Sequence, residues 1–539
     1  MNDDGVHATF GAGVNLHEAT TFLRKHNRGL RTTPAYGNIT FGGATGTGAH
    51  GSSIKYNASI SSQIVSMRIV DGLGNPQDIT DPEDLKAFRL HLGLLGIVVK
   101  ITVYTVPLYK TLANNYVISD EILTNGKAIE MAQNADQMAF YWFPAFNQLV
   151  VANWTIVDAN TEGNAYTYDH VPSVYKHFGY IATIAKEAAF SLTTSTCALA
   201  SSIGYTILHA ISYFLELALI HQVPGWVPIY TENGFLIKMP AVGYYDVMFA
   251  PICHDTPQGF LQETCVWDNG PNNITILDNE FGVDLPKLPS FIAKVKDIVN
   301  KTPTAFPLQG ILMRFSDKSD IYMSTAYGSQ TVHFEFYLWN RRDPYNEPSG
   351  SLAGYQTILQ MLRNEYSSRS HWGKSGLVYH NSDSLDLKLD PAARDGFTAV
   401  MTKYDPNGVF LNSFGHRLKK TGTKVDLDPM VKHCALLDNC FCSADGDCGK
   451  NQICTKISGY NYNVCQTKNE IPVDFFPHII LPKENGTGLL NFFSTEVQAI
   501  ANALQGKCSI TSLISAIGDT AGNTFKAFII GLGSQFSLG

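Results

Sequence analysis

Charged residues are scarce in this sequence, and neither sign dominates. They make up 16% of the 539 residues, the formal net charge is −8, and no run of like charge stands out. Nucleic-acid-binding proteins carry clustered Lys and Arg, and polybasic arms or acidic tails appear as charge runs. The composition therefore argues against a nucleic-acid partner and against a charged membrane-binding surface.

Several catalytic and targeting signals are absent as well. The chain has no G-x-S-x-G nucleophile elbow and no H-E-x-x-H motif, so these hydrolase classes are not indicated and no metal site is predicted. No apolar leader follows Met1. Because residues 8–12 already have the pattern of a strand inside a fold, we expect that the start of the gene product lies upstream of residue 1.

Apolar residues, in contrast, are plentiful. Hydrophobic side chains make up 45% of the chain, and the length predicts two or three domains. An apolar stretch at 182–220 is long enough for a transmembrane helix. It contains His209 and Glu216 and lacks a basic flank, so buried helices are the preferred interpretation and no membrane insertion is predicted.

The densest functional signal is the glycine-rich stretch Phe41–Ser53. Glycine lets backbone N–H groups approach a ligand closely, and successive N–H groups form an anion-binding concavity. Gly46, Gly48 and Gly51 match the dinucleotide fingerprint G-x-G-x-x-G, but that fingerprint requires a helix directly afterwards. Residues 52–62 lack a helical apolar stripe, which disfavours a nicotinamide site and leaves a plain surface loop as the alternative.

Two cationic segments are candidates for chemistry. His371-Trp-Gly-Lys374 places a Lys beside an aromatic ring and a His, where lost solvent would lower the pKa of the Lys. Its charge could stabilise an anionic substrate or a reduced cofactor, and the alternative is a structural turn. Arg314 lies in an apolar segment and is either a core salt bridge or a permanent cation that polarises a substrate oxygen.

Apolar and polar side chains alternate along residues 331–339, which predicts a strand with two different faces. The polar face carries His333, Glu335, Tyr337 and Trp339. An ordinary strand would turn this face to solvent, and the alternative is a ligand-facing surface.

Six of the ten cysteines are clustered: Cys434, Cys440, Cys442, Cys448, Cys454 and Cys465. Their spacing lacks paired C-x2-C units, so a disulfide module is favoured over a metal site, with a connectivity that the sequence leaves open. Cys253 and Cys265 are a further candidate pair, and Cys197 and Cys508 stay unassigned. The cluster and several N-x-[ST] sequons favour a secretory setting. The sequons lie at Asn38, Asn57, Asn153, Asn273, Asn300 and Asn485.

In combination, these segments resemble the FAD-linked sugar-1,4-lactone oxidases of the vanillyl-alcohol-oxidase superfamily, in the plant L-gulono-1,4-lactone oxidase branch. Phe41–Ser53 resembles the second flavin loop, His371–Lys374 resembles the H-W-G-K motif, and the segment beginning at Cys434 resembles the C-terminal part of the plant enzymes. The resemblance covers roughly residues 7–466.

The resemblance implies an α+β fold: the second half of a two-subdomain FAD-binding domain, a cap domain with a large antiparallel sheet, and a small disulfide-rich module. The expected limits are 1–108 for the FAD-binding part, 109–400 for the cap, 401–418 for a return segment, 419–470 for the module and 471–539 for a tail. The first flavin subdomain of the family would precede residue 7.

The resemblance also implies FAD as cofactor and assigns site residues. The expected cofactor-binding set is Gly42, Gly43, Gly46, Thr47, Gly48, His50, Gly51, Ser52, Ser53, Ile97, Val98 and His371. Arg314 and Lys374 are expected to hold substrate oxygens. Related enzymes have Glu-x-Arg where this chain has Leu312-Met-Arg314, so Glu335 is the expected replacement base, with a structural ion pair to Arg314 as the alternative.

The implied reaction is oxidation of a sugar lactone, with hydride transfer to the flavin and O2 as acceptor, giving H2O2 and an ascorbate-type product. An alditol or other carbohydrate oxidase is one alternative. A secreted, non-catalytic binding protein with a degenerate flavin domain is the other. No protein partner can be predicted from the sequence.

Overall fold

The computed structural model describes residues 1–144, 147–167, 229–231, 240–249, 274–301, 311–341, 343–346, 348, 352–374, 376–419 and 432–468. The predictions for the stretch 182–220, for the 471–539 tail and for the four cysteines outside the cluster lie outside these residues. So does the side chain of Trp339.

Within the described residues the chain forms eighteen strands and ten α-helices. The strands are β1 (His7–Gly11), β2 (Arg28–Gly29), β3 (Ile64–Val70), β4 (Pro76–Ile79), β5 (Ile97–Tyr104), β6 (Val106–Pro107), β7 (Tyr109–Ser119), β8 (Gln137–Phe143), β9 (Gln148–Asp158), β10 (Ala165–Thr167), β11 (Ile229–Thr231), β12 (Ala241–Tyr244), β13 (Ile274–Asp284), β14 (Ile311–Ser316), β15 (Thr331–Arg341), β16 (Arg369–Ser370), β17 (Gln452–Lys456) and β18 (Asn463–Thr467). The helices are α1 (Leu16–Lys25), α2 (Phe41–Gly46), α3 (Pro82–Phe88), α4 (Lys127–Asn134), α5 (Tyr245–Phe249), α6 (Leu288–Lys301), α7 (Leu352–Glu365), α8 (Ser382–Lys388), α9 (Pro391–Tyr404) and α10 (Ser413–Lys419).

A four-stranded antiparallel sheet, ordered β1-β5-β3-β4, forms the N-terminal part. The strand pattern noted at residues 8–12 corresponds to β1. Asp81 caps α3, since its Oδ1 accepts hydrogen bonds from the N–H groups of Glu83 and Asp84 at 2.9 and 3.1 Å. Pro82 occupies the first turn, where its missing N–H costs nothing.

An eight-stranded antiparallel sheet, ordered β12-β7-β9-β8-β14-β15-β13-β16, forms the larger part of the described chain. Alternation along the strands gives it two apolar faces. Phe140 and Phe334 pack on the side of α6 and α7, whereas Tyr141 and Leu312 join the core of the N-terminal sheet. The family-implied α+β fold with a large antiparallel sheet is therefore confirmed.

The alternation predicted for β15 holds, but its polar face is not solvated. His333 and Glu335 are only 1% and 4% exposed. The solvent-facing interpretation is therefore wrong for these two residues, which are covered by His50 and Arg314.

The cysteine module is cross-linked by three disulfides, Cys434–Cys440, Cys442–Cys454 and Cys448–Cys465, as the disulfide interpretation predicted. Its hairpin, β17–β18, packs on α7. Gln356 of α7 donates to the carbonyl of Ala435 at 2.8 Å, and its own carbonyl accepts from the N–H of Cys465 at 2.9 Å.

No helix in the described part of the chain has the length and apolarity needed to cross a membrane.

Candidate active site

A small cleft opens where the glycine-rich stretch meets the large sheet. Its walls include Thr47, Gly48 and His50 from the glycine-rich stretch, Ser316 at the end of β14, and Trp372. Cofactor and small-molecule sites commonly combine apolar walls with a few polar groups. The two motifs singled out in the sequence, Phe41–Ser53 and His371–Lys374, thus line or flank one cavity.

The sequence suggested that the glycine-rich stretch is a loop, but part of it is helical. Phe41–Gly46 forms the short helix α2, capped by Thr40, whose Oγ1 accepts from the N–H of Gly43 at 3.3 Å. The glycines serve close packing: a Cβ on Gly46 would lie 2.8 Å from the His91 ring, and one on Gly51 would lie 2.6 Å from the carbonyl of Thr33.

The turn after α2 faces the cleft. Gly48 has a φ of +77°, which favours glycine. A Cβ on Gly373 would lie 3.2 Å from Oγ1 of Thr47, so the two motifs approach each other backbone to side chain. The cradle is polar on one side and is bordered by Trp372.

Two serines of the glycine-rich stretch bind it to the large sheet. Ser53 N–H donates to the carbonyl of Phe315 at 2.7 Å, and Ser52 Oγ accepts from the N–H of Phe315 at 2.9 Å and donates to the carbonyl of Met138. Both serines therefore hold β14, and with it Arg314, against the glycine-rich stretch.

Strand register brings the charged residues together. In β14–β15 pairing, Leu312 lies opposite Glu335, and in β13–β15 pairing Glu335 lies opposite Glu280. The strand of Glu335 therefore runs directly beside that of Arg314. Arg314 Nη2 contacts Glu335 Oε2 at 2.7 Å and also pairs with Glu280.

Lys374 completes the cluster from the other motif. Its Nζ lies 2.6 Å from Oδ2 of Asp278, 2.6 Å from Oε1 of Glu335 and 3.9 Å from Oε2 of Glu280. Tyr337 donates its hydroxyl to Glu335 at 2.8 Å. Three carboxylates thus share two cations in a largely buried site.

The shared charges set the pKa values of these groups. Burial raises the pKa of Glu335, but Lys374 and Arg314 outweigh burial and hold it below its usual value. The pKa of Glu280 is likewise held well below its usual range, mainly by Arg314. Burial raises the pKa of Asp278 to about 7, and the attraction of Lys374 only partly opposes it.

Lys374 behaves in the opposite way to the sequence expectation. Burial alone would lower its pKa, as predicted, but Asp278, Glu335 and Glu280 together raise it above the usual value. The lysine that does lie beside an aromatic ring and a His, with a pKa lowered by burial, is Lys388. Its Nζ lies 4.0 Å from the centroid of the Trp372 ring and 3.0 Å from Nδ1 of His380.

Three buried histidines surround Glu280. Oε1 of Glu280 lies 2.7 Å from Nε2 of His50 and 3.6 Å from Nδ1 of His333, and His371 is close enough to form a potential metal-ligand set with His50 and Glu280. Burial lowers the pKa of His371 to about 3. Its Nδ1 accepts the N–H of Gly373 at 3.0 Å, so the proton of the neutral ring lies on Nε2. Together with the neighbouring Arg314, this tautomer favours a hydrogen-bonded acid cluster over a metal site.

The cleft and the charged cluster are adjacent but distinct. His50 lines the cleft and accepts a hydrogen bond from Arg314 at its carbonyl (3.0 Å). Ser316 also lines the cleft and lies 3.0 Å from Nε2 of His333. Among the described residues, the five charged groups themselves do not line it, and the most exposed of the five is Asp278, with a side chain 28% exposed.

The remaining site predictions are placed as follows. Gly42 and Gly43 lie inside α2. Ile97 is 59% exposed on β5, and neither Ile97 nor Val98 is among the described residues that line the cleft. Their predicted flavin contacts stay predictions.

Sequence reasoning missed Asp278 and Glu280. The available signal was a pair of carboxylates two positions apart in an apolar, β-branched stretch, Ile274–Gly282. Such a pair falls on one face of a strand.

Two known families match different parts of the chain. Residues 1–80 match the family described as FAD binding domain, and residues 269–418 match D-arabinono-1,4-lactone oxidase. Thr47, Gly48 and His50 lie in the first range. The five charged residues of the cluster lie in the second.

Curated relatives cover most of the chain. L-gulonolactone oxidase 5 of Arabidopsis thaliana is 27% identical over 82% of this chain and 74% of its own length. L-gulono-1,4-lactone dehydrogenase of Mycobacterium tuberculosis is 22% identical over 76% of this chain and 81% of its own length. L-gulonolactone oxidase of Mus musculus is 21% identical over 75% and 79%, respectively.

Solved structures agree on the fold. A solvent-stable cholesterol oxidase superposes with a TM-score of 0.54 at 15% identity, covering 76% of this chain and 81% of its own. The cholesterol oxidase of B. sterolicum gives 0.53 at 14% identity, over 77% and 81%.

Proposed function

The chain is homologous to the plant L-gulonolactone oxidases and carries an FAD-binding domain, and from this premise we propose that it oxidises a secondary alcohol of a sugar 1,4-lactone such as L-gulono-1,4-lactone. The finer proposal is that O2 reoxidises the cofactor to give H2O2 and that the product is of the ascorbate type. The mycobacterial relative is named a dehydrogenase, so the acceptor has to be tested directly.

One observation carries the proposal: the cleft wall from the FAD-matched range abuts a cluster of two cations and three carboxylates from the lactone-oxidase-matched range. A sugar lactone offers many oxygens and one hydroxyl to be oxidised. Arg314 supplies fixed N–H donors and a permanent charge. Lys374 supplies a second cation, which its carboxylate neighbours keep protonated.

Oxidation of an alcohol to a ketone removes two electrons and two protons. Bound FAD would accept the two electrons. We propose that it is held by Thr47, Gly48, His50 and Trp372. The hydroxyl proton requires a base. Asp278 suits this role better than Glu335, because the side chain of Asp278 is 28% exposed and its pKa is about 7, whereas the side chain of Glu335 is 6% exposed and bound by both cations.

The decisive experiment is anaerobic mixing of the FAD-loaded protein with L-gulono-1,4-lactone. Bleaching of the flavin absorbance is expected, and alditols of the same chain length should bleach it more slowly. Faster bleaching by an alditol would reassign the substrate class. No bleaching with any carbohydrate would favour a non-catalytic binding protein. Peroxide release after admission of O2, compared with reduction of an artificial acceptor, separates an oxidase from a dehydrogenase.

We also propose a secretory location, which three disulfides in a small module support. The sequon residues Asn38 and Asn300 are exposed. A mobility shift on treatment of the native protein with an N-glycosidase would test this, and an unshifted protein from a eukaryotic host would argue against it.

A further inference from the structure

The cysteine module reaches the back of the strand that carries the site acids. Side chains alternate along β13, so Asn279 points away from the face of Asp278 and Glu280. Asn279 is 1% exposed, and its Nδ2 donates to Oδ2 of Asp438 at 2.6 Å and to the hydroxyl of Tyr355 at 2.6 Å. Asp438 belongs to the module.

The disulfide Cys434–Cys440 closes the short loop that presents Asp438. Asp438 is 2% exposed and has a φ of +53°, a left-handed conformation that Asp adopts more readily than most non-glycine residues. The N–H of Asn439 donates to the carbonyl of Cys434 at 2.9 Å. The loop therefore fixes both the backbone and the side chain of Asp438.

Asp438 also holds the segment that leaves Lys374. Its carbonyl accepts from the N–H of Val378 at 3.1 Å. Between Lys374 and Val378 the chain turns at Gly376, whose φ is +99°; a Cβ there would lie 3.0 Å from Oδ1 of Asn279 and 2.2 Å from the Tyr379 ring. One residue of the module is thus bonded to the strand of Asp278 and to the segment of Lys374.

We propose that Asp438, held by the Cys434–Cys440 disulfide, is a positioning residue that keeps Lys374 paired with Asp278. The proposal gives the cysteine module a role in the site: reduction of this disulfide frees the loop and loosens the Lys374 contact. The expected effect on turnover rests on the proposed function, whereas the expected effect on the Lys374–Asp278 contact does not.

The first test measures the reactivity of Lys374 in the full chain. Acetylation by an N-hydroxysuccinimide ester is followed by peptide mass spectrometry, with exposed Lys127 as internal reference. Asp438→Ala and the double variant Cys434→Ser/Cys440→Ser should raise the acetylation rate of Lys374 several-fold, because a lysine released from its carboxylates is more accessible and less firmly protonated. Asp438→Asn keeps an acceptor oxygen and should restore the slow rate.

Asp445→Ala is the matched control. Asp445 lies in the same module and is exposed, and its Oδ1 accepts a hydrogen bond from the N–H of Cys454 at 2.9 Å. The Asp445→Ala variant should keep the slow acetylation of Lys374. An unchanged Lys374 rate in folded Asp438→Ala, or an equal rise in Asp445→Ala, would overturn the proposal. If Asp438→Ala does not fold, the double cysteine variant and Asp438→Asn decide by the same criteria.

The second test is a double-mutant cycle on the rate of anaerobic flavin reduction. Asp438→Ala should slow the wild-type protein by about tenfold or more, the size expected for a misplaced site group. In a Lys374→Met background it should cost little further, because the group it positions is gone. If Asp438→Ala slows flavin reduction by the same factor in the wild type and in the Lys374→Met background, the proposal is contradicted. If no lactone reduces the wild type but the acetylation pattern holds, the proposed function fails and the positioning role stands.

Discussion

Asp278 and Lys374 are joined by a 2.6 Å contact between Oδ2 and Nζ, and the carboxylate is the more open partner, with a side chain 28% exposed against 13% for the lysine. The same ammonium contacts Glu335 at 2.6 Å. Two cations cannot neutralise three carboxylates fully. The acid whose pKa rises is the one that retains a proton most easily, and here it is Asp278.

Asp278 should therefore control the pH dependence of turnover. Its protonated form cannot accept a proton, so the rate of flavin reduction in the wild type should rise as pH passes through about 7. Asp278→Asn should lower the plateau rate on the order of a hundredfold and abolish this rise. Stopped-flow reduction at a series of pH values measures both quantities.

The control for this profile is Asp438→Asn. Burial raises the pKa of Asp438 to about 7 as well, but Asp438 lies behind β13 and keeps an acceptor in this variant. The rise near pH 7 should persist there. If the profile flattens in Asp438→Asn and not in Asp278→Asn, the titrating group is Asp438, which lies behind β13 and cannot be the base.

The resemblance to sugar-lactone oxidases predicted that Arg314, Glu335 and Lys374 belong to one site, whereas the residue patterns alone marked each only as a candidate. It could not predict Asp278 and Glu280, because their place depends on the register of β13 against β15. It also could not predict the direction of the Lys374 pKa, since that depends on carboxylates contributed by a distant strand. Long-range pairing, not local composition, decided both.

Glu335→Gln should destabilise the fold in a pH-dependent way. Removing one partner of a buried ion pair typically costs about 3–5 kcal/mol. The folded-state pKa of Glu335 is depressed, so its contribution is present above the unfolded pKa and is lost as pH falls through the folded value. Denaturant unfolding should show the full loss at pH 7 and a smaller one in acid.

Glu83→Gln is the comparison for that experiment. Glu83 pairs with Lys86 at 2.7 Å, but its side chain is 69% exposed, and exposed pairs contribute roughly 0–1 kcal/mol. Equal losses in the two variants would mean that Glu335 is not a buried ion-pair partner in solution. A shifted pH profile of flavin reduction in Glu335→Gln would return the base role to Glu335.

Lys374→Met should lower turnover by on the order of a hundredfold or more, because a preorganised cation beside developing charge is removed while the side-chain volume is nearly kept. The FAD content per folded chain should stay unchanged, since Thr47, Gly48 and His50 are untouched. Lys301→Met, which removes an exposed partner of Asp297, should keep full activity. An unaltered rate of flavin reduction in Lys374→Met would leave Lys374 a structural turn residue.

Lys388 tests how burial alone affects the pKa of a lysine, because the amine contacts a hydroxyl and a His ring rather than a carboxylate. Its Nζ contacts Ser370 Oγ at 2.8 Å and His380 Nδ1 at 3.0 Å, and burial lowers its pKa well below the usual value. The unfolded chain therefore binds a proton that the folded chain releases, and stability rises with pH.

Between about pH 8 and pH 10, the free energy of unfolding of the wild type should rise relative to Lys388→Met by up to about 1.4 kcal/mol per pH unit. Methionine fills the site without a titrating group, so the free energy of unfolding of Lys388→Met should exceed that of the wild type most at the lower pH. Lys403→Met, at a lysine 59% exposed, should run parallel to the wild type. Parallel curves for Lys388→Met would mean that the amine keeps its proton in the folded protein, held by the face of Trp372.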